Sequence, residues 1–148
     1  MGKKRIITSG SGEENSNGSG AGNVGVDKKG ARKQVIKGTV HISSSYNNTI
    51  VSVADSNGNV FAYSSAGMMG FKGARKSTPY AATLVGKDAV EKAKKLGFQE
   101  AKVSIRGIGP GREAAIRGIA SAGVNITSII DSTPMAHNGV RPKKPRRV

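Results

Sequence analysis

The residues GIGPGR, Gly107 to Arg112, stand between an alternating run, AKVSIR, and a helix-spaced run, EAAIRGIASA. Glycines between a strand and a helix let the backbone approach a phosphate, and a helix N-terminus favours its charge. Two nucleotide chemistries use such a loop, and neither fits. The dinucleotide fingerprint needs glycine at position 112, where Arg112 stands, and it follows the first strand of its domain, whereas three strands precede this one. A triphosphate-binding loop needs a Gly-Lys-Ser/Thr that does not follow. Metal-assisted hydrolysis would need converging carboxylates. Between residues 38 and 133 the acids are scattered: Asp55 in a turn signal, Asp88 and Glu91 on a helix, Glu100 before a strand, Glu113 in a helical first turn and Asp131 at a strand end. His41 and His137 are far apart and lack an acidic orienting neighbour. The sequence therefore predicts no catalytic group, no metal and no cofactor.

Binding to a polyanion asks less of these residues and explains more of them. In GFKGARKS, Lys72, Arg75 and Lys76 stand among glycines. Gly109 and Gly111 offer close backbone approach beside Arg112, flanked in sequence by Arg106 and Arg117. The segment HNGVRPKKPRRV carries His137, Asn138, Arg141, Lys143, Lys144, Arg146 and Arg147, with prolines that favour an extended shape suited to a groove. A further cluster, Lys28, Lys29, Arg32 and Lys33, leads into the folded part. A single basic run is more often solvated than bound, but several of one sign in a small chain point to nucleic acid. The chain has 24 basic and 9 acidic residues, a net charge of +15. Two thirds of that excess lies outside residues 38–133, and residues 134–148 contain no acid. A membrane surface is a poorer partner, because no amphipathic helix accompanies the charge. Tyr46, Tyr63 and Phe71 are the plausible exposed aromatics; Phe71, in the basic loop, is the best placed of them to stack on a base, although core packing suits it better.

The elements that hold these groups follow from periodicity. At 148 residues the chain fits one domain with a modest core. With no tryptophan, that core is expected to rest on Val, Ile, Ala and Leu. Absence of cysteine excludes disulfides and thiolate sites and suits a reducing compartment. No apolar run approaches the ~18 residues of a membrane helix, so a soluble, cytoplasmic protein is expected. Residues 1–37 form a Gly/Ser-rich and basic extension, expected to be disordered alone. Residues 38–133 form an α/β domain, and 134–148 a basic tail. TVHISSS, TIVSVAD and VFAYSSA alternate as strands, with Asp55-Ser56-Asn57-Gly58 as a hairpin turn. Thr78 caps a helix with Pro79 first; Ala82, Val85, Ala89, Ala93 and Leu96 line one side, and Gly97 ends it. The strand AKVSIRG, a helix with Ile116, Ile119 and Ala120 inward, the stop Gly123 and the strand VNITSIID complete β-β-β-α-β-α-β. Two right-handed crossovers progressing the same way put both helices on one sheet face and leave the other wet. The alternation of Lys102, Ser104 and Arg106 with Val103 and Ile105 agrees.

The segments SSSYNNTIVSVAD, SSAGMMGFKGARKSTPYAA, GIGPGREAAIRG and ITSIIDSTPMAHNGVRPKKPRRV resemble, in order and spacing, the S eleven family of small-subunit ribosomal proteins in its bacterial form. The likeness runs from about Lys33 to Val148. It implies a ribonuclease H-like layered fold with a five-stranded mixed sheet, helices mainly on one face, and no carboxylate site. It further implies a structural, non-enzymatic role, bound to 16S ribosomal RNA on the platform, bridging RNA helices near the messenger exit and Shine-Dalgarno cleft. Implied partners are the seventh and eighteenth small-subunit proteins and initiation factor three, with messenger RNA nearby and neither membrane nor small-molecule substrate. By position it implicates Asn47 and Asn48, the Lys72–Lys76 loop, Gly109 to Arg112, and His137 to Arg147. A free-standing RNA-binding protein or chaperone of the same fold is the alternative.

Overall fold

The structure, a computed structural model, describes residues 34–141, 143 and 144. Five strands and two α-helices follow in the expected order: β1 (Lys37–Ser44), β2 (Thr49–Asp55), β3 (Val60–Ser65), α1 (Pro79–Lys94), β4 (Glu100–Arg106), α2 (Arg112–Ser121) and β5 (Asn125–Asp131). A short 3-10 helix, Gly73–Ser77, lies inside the loop before α1. The sheet order is β3-β2-β1-β4-β5; β2 runs against its two neighbours, and β1, β4 and β5 are parallel. This is the mixed sheet of a ribonuclease H-like layered fold. Both crossovers, β3 to β4 and β4 to β5, move toward the β5 edge, so their right-handedness sends α1 and α2 to the same face.

Alternation decides what each face carries. On the helix side, Val40 pairs with Val53 and Val103, and Ile42 with Val51 and Ile105, giving two continuous buried rows. Each such aliphatic side chain, fully buried, stabilises the fold by ~1.5–3 kcal/mol. The opposite face carries His41, Ser43, Tyr63, Lys102 and Arg106, all exposed, and no described helix covers it. The expected wet face is present.

Local signals act as their chemistry requires. Thr78 Oγ1 accepts from Ala81 N–H at 3.2 Å with Pro79 at the first helical position. In the β2–β3 hairpin only Gly58 takes positive φ (86°), and Asp55 Oδ1 accepts from Asn57 and Asn59 N–H at 2.7 and 3.1 Å. Asp55 N–H donates to Asn59 O at 3.0 Å, so residues 56–58 form the turn, one more than a two-residue Asn-Gly turn has.

Two expectations change, and one strand is irregular. Ala120 is exposed; Ala115, Gly118 and Ile119 are the buried residues of α2. The reason is close approach of the helices, because a Cβ on Gly118 would lie 2.3 Å from Thr83 O, and one on Gly86 2.6 Å from Ala115 O. The apolar side of α2 is therefore turned toward its glycine. Neither leucine is fully buried; Phe98 is the largest fully buried side chain and meets Phe61 edge-on at 5.8 Å. Finally, β5 does not alternate simply. A register shift opposite Ala101 and Lys102 leaves Ile126 beside Ala101, but sets Ile129 beside Val103 and Asp131 beside Ile105. Strict alternation from Ile126 would have turned Asp131 to the wet face; the bulge turns it to the helices.

The helix contact yields a test. Gly118→Ala should destabilise the domain by about 1–3 kcal/mol, since backbone must shift to admit the methyl, whereas Ala120→Lys should stay within about 0.5 kcal/mol. Urea unfolding that ranks the two variants the other way would contradict this packing.

Candidate nucleic-acid interface

The topology gathers the loops. Strands β1, β3, β4 and β5 all end at one rim of the sheet, where β2 begins. The turn 45–48, the loop 66–78, GIGPGR and the start of the basic tail therefore meet there. Hydrogen bonds join them: Gly109 N–H donates to Ser44 O at 3.0 Å, Ala66 N–H to Thr49 O at 3.2 Å, and Gly107 N–H to Thr133 Oγ1 at 3.2 Å.

Inside GIGPGR the glycines answer to protein. A Cβ at position 107 would sit 2.1 Å from Ser44 O, at 109 2.2 Å from Ser45 O, and at 111 2.3 Å from Thr49 Oγ1. Gly109 and Gly111 are buried. Within the chain, the close approach they permit is to the turn between β1 and β2. That turn is held by Ser45, whose N–H donates to Asn48 O at 2.9 Å and whose Oγ accepts from Asn48 N–H at 3.1 Å. Asn47 is exposed and Asn48 half-buried. The buried Asn48 Oδ1 has no partner among the described residues.

Arg112, the first residue of α2, has an anchoring task. Its guanidinium donates to Gly107 O at 2.7 Å and forms a salt bridge with Asp131. Asp131 Oδ1 accepts from Thr133 N–H at 2.9 Å and from Thr133 Oγ1 at 2.6 Å. The Thr133 hydroxyl first, then its backbone N–H and Arg112, bring the Asp131 carboxyl down from 3.8 to about 2. Arg106 and Arg117 do not join Arg112 in one cluster. Arg106 leaves β4 on the wet face, and Arg117 pairs with Glu113 at 3.5 Å along the exposed side of α2.

The remaining cations point outward. Lys72 and Arg75 are exposed and Lys76 half-buried, on and beside the 3-10 helix. Phe71 packs against the core and meets Tyr80 edge-on at 6.2 Å. Tyr80 is 68% exposed, next to this basic loop, and was not among the aromatics expected at the surface. Its signal was available: two residues before Ala82, it falls off the helix's apolar stripe. In the tail, His137, Asn138, Arg141, Lys143 and Lys144 are exposed. Lys28, Lys29, Arg32, Lys33, Arg146 and Arg147 lie outside the described residues.

The family described as Ribosomal protein S11 matches residues 38–147. The chain belongs to the ribosomal protein S11 family. It is similar to a curated relative, small ribosomal subunit protein uS11 of Rhizorhabdus wittichii strain RW1, at 52% identity over 117 residues, 79% of this chain and 91% of the relative. The S11 membership makes it a structural small-subunit ribosomal protein.

For a ribosomal protein S11 the pairing of acids at this rim is informative. No group of three or more metal-ligating side chains occurs among the described residues. Asp131, which a nuclease reading would enlist, is held by Arg112 and Thr133. Because its folded pKa is depressed, the bonds to Asp131 contribute stability above pH 3.8 and lose it as pH falls toward about 2. Urea titrations at successive pH values should show this acid-side loss in the wild type and a shallower one in Asp131→Asn. Curves of the same shape for both would contradict the assignment.

Proposed function

We propose that the chain acts by binding small-subunit ribosomal RNA through the loop-bearing rim of its sheet and its basic tail. The observation that carries the reading is the convergence of the Lys72–Lys76 loop, the Asn47–Asn48 turn and the tail's origin at that rim. Exposed cations there neutralise phosphates and release counterions. Arg106 and Arg117 add contacts to either side of it, and Lys28, Lys29, Arg32, Lys33, Arg146 and Arg147 extend the basic reach at the two ends of the chain. The low aromatic content, 4%, favours recognition of RNA shape and backbone over base stacking. Tyr46 and Tyr80, both 68% exposed, are the side chains best able to stack where stacking occurs.

On this reading the protein sits on the platform, bridges RNA helices and helps to form the cleft through which messenger RNA leaves. Its protein neighbours are the seventh and eighteenth small-subunit proteins, with initiation factor three in reach, and it works ribosome-bound in the cytoplasm. No described helix is long and apolar enough to cross a membrane.

Two measurements test this. The full chain should cosediment with small subunits through a moderate-salt wash; recovery only in the free fraction would favour a free-standing RNA chaperone. Lys72→Ala and Arg75→Ala should each lower the slope of log affinity against log salt by about 1 on small-subunit RNA. Unchanged slopes would remove that loop from the interface.

A further inference from the structure

Asp131 is an acid at the root of a tail that bears only cations. A bare carboxylate near a polyanion-binding surface opposes binding, so its placement needs a reason. Its hydrogen bonds supply one. Both carboxylate oxygens are engaged: Oδ1 by the N–H and hydroxyl of Thr133, Oδ2 by Arg112. The bond to the N–H two residues on is an Asx turn, which fixes the chain's direction as it leaves the strand. Thr133 Oγ1 in turn accepts from Gly107 N–H, and Arg112 reaches Gly107 O, so tail, loop and α2 close into one ring of contacts. Ser132 N–H donates to Ile105 O at 2.8 Å, which prolongs the parallel ladder by one step before the turn. The next residue, Pro134, has a fixed φ. The bulge in β5 places Asp131 on the side where Arg112 can meet it.

We infer that Asp131 and Thr133 are positioning residues for RNA binding: they set the direction in which the tail leaves the sheet, so that Arg141, Lys143 and Lys144 reach phosphates at little entropic cost. The inference rests on the proposed RNA-binding role. On this inference the direction at the tail's root is set within the protein, so that part of the ordering is not charged against the complex.

The sign of one substitution separates this role from two simpler ones. If Asp131 were only a surface charge, Asp131→Asn would tighten binding. If it only stabilised the fold, the variant would melt earlier without a tail-dependent change in affinity. As positioning residues, Asp131→Asn and the uncharged change Thr133→Val should both weaken binding of the full chain to transcribed small-subunit RNA by about three- to tenfold. In a full-length background with Arg141, Lys143 and Lys144 changed to Gln, neither substitution should weaken it. Affinity is measured well below each variant's melting temperature, so that folding and binding are read separately. Weakening only where the tail cations are present supports the inference. Tighter binding by Asp131→Asn, or equal weakening in both backgrounds, overturns it. Failure of the wild type itself to bind small-subunit RNA would instead defeat the proposed function beneath it.

Discussion

The carbonyl oxygens of Ser44 and Ser45 occupy the space that side chains at positions 107 and 109 would need. That contact seats the loop between β4 and α2 on the turn between β1 and β2, and much else depends on it. It sets where α2 begins, with Gly111 beneath Thr49 and beside Ala82 of α1. It thereby fixes the origin of Arg112, which reaches across to the end of β5. A methyl group at either glycine would displace backbone against backbone, which has no soft direction in which to yield. The first turn of α2, the β1–β2 turn and the root of the tail are thus joined at the rim by direct contacts.

The one-sided sheet has a matching logic. Both helices lie on a single face, and they approach each other closely through Gly86 and Gly118 rather than through large side chains. A small core built from Val, Ile and Ala around Phe98 is sufficient for that arrangement. Since the parallel strands all finish at one end, the same topology that economises on core residues collects the connecting loops where cations can act together. The fold and the clustering of its loops thus have one geometric cause.

Much of this was legible because it is local. Strand alternation, the Thr78-Pro79 helix start, and glycines 58, 97 and 123 at positive φ each depend on residues within a turn of one another. The rim was legible in composition but not in partnership. GIGPGR announces that something approaches the backbone closely; glycine spacing does not say whether it is a phosphate or a carbonyl oxygen, since both require the same missing Cβ. Arg112 reads as a free cation because Asp131 lies nineteen residues away, and their meeting depends on a bulge that no alternation pattern encodes. Ala120 was misplaced for a related reason: helix periodicity ranks apolar side chains, while the α1–α2 contact is governed by the residue that has none. The tail's cations were evident from sequence, and the device at its root was not.

The acids of the domain have one more consequence. Asp88, Glu100, Glu113 and Asp131 each have a cationic partner, respectively Lys92, Lys37, Arg117 and Arg112. Seen from a few ångströms away, such pairs are dipoles, whose fields die off faster than that of a single charge. What projects furthest into solvent is the field of the charges left over, chiefly, among the described residues, cations such as Lys72, Arg75, Lys102 and Arg106. Asp55 and Glu91 have no salt-bridge partner among the described residues, so the field carries a positive excess rather than a single sign, and like any field of exposed charges it is screened by salt.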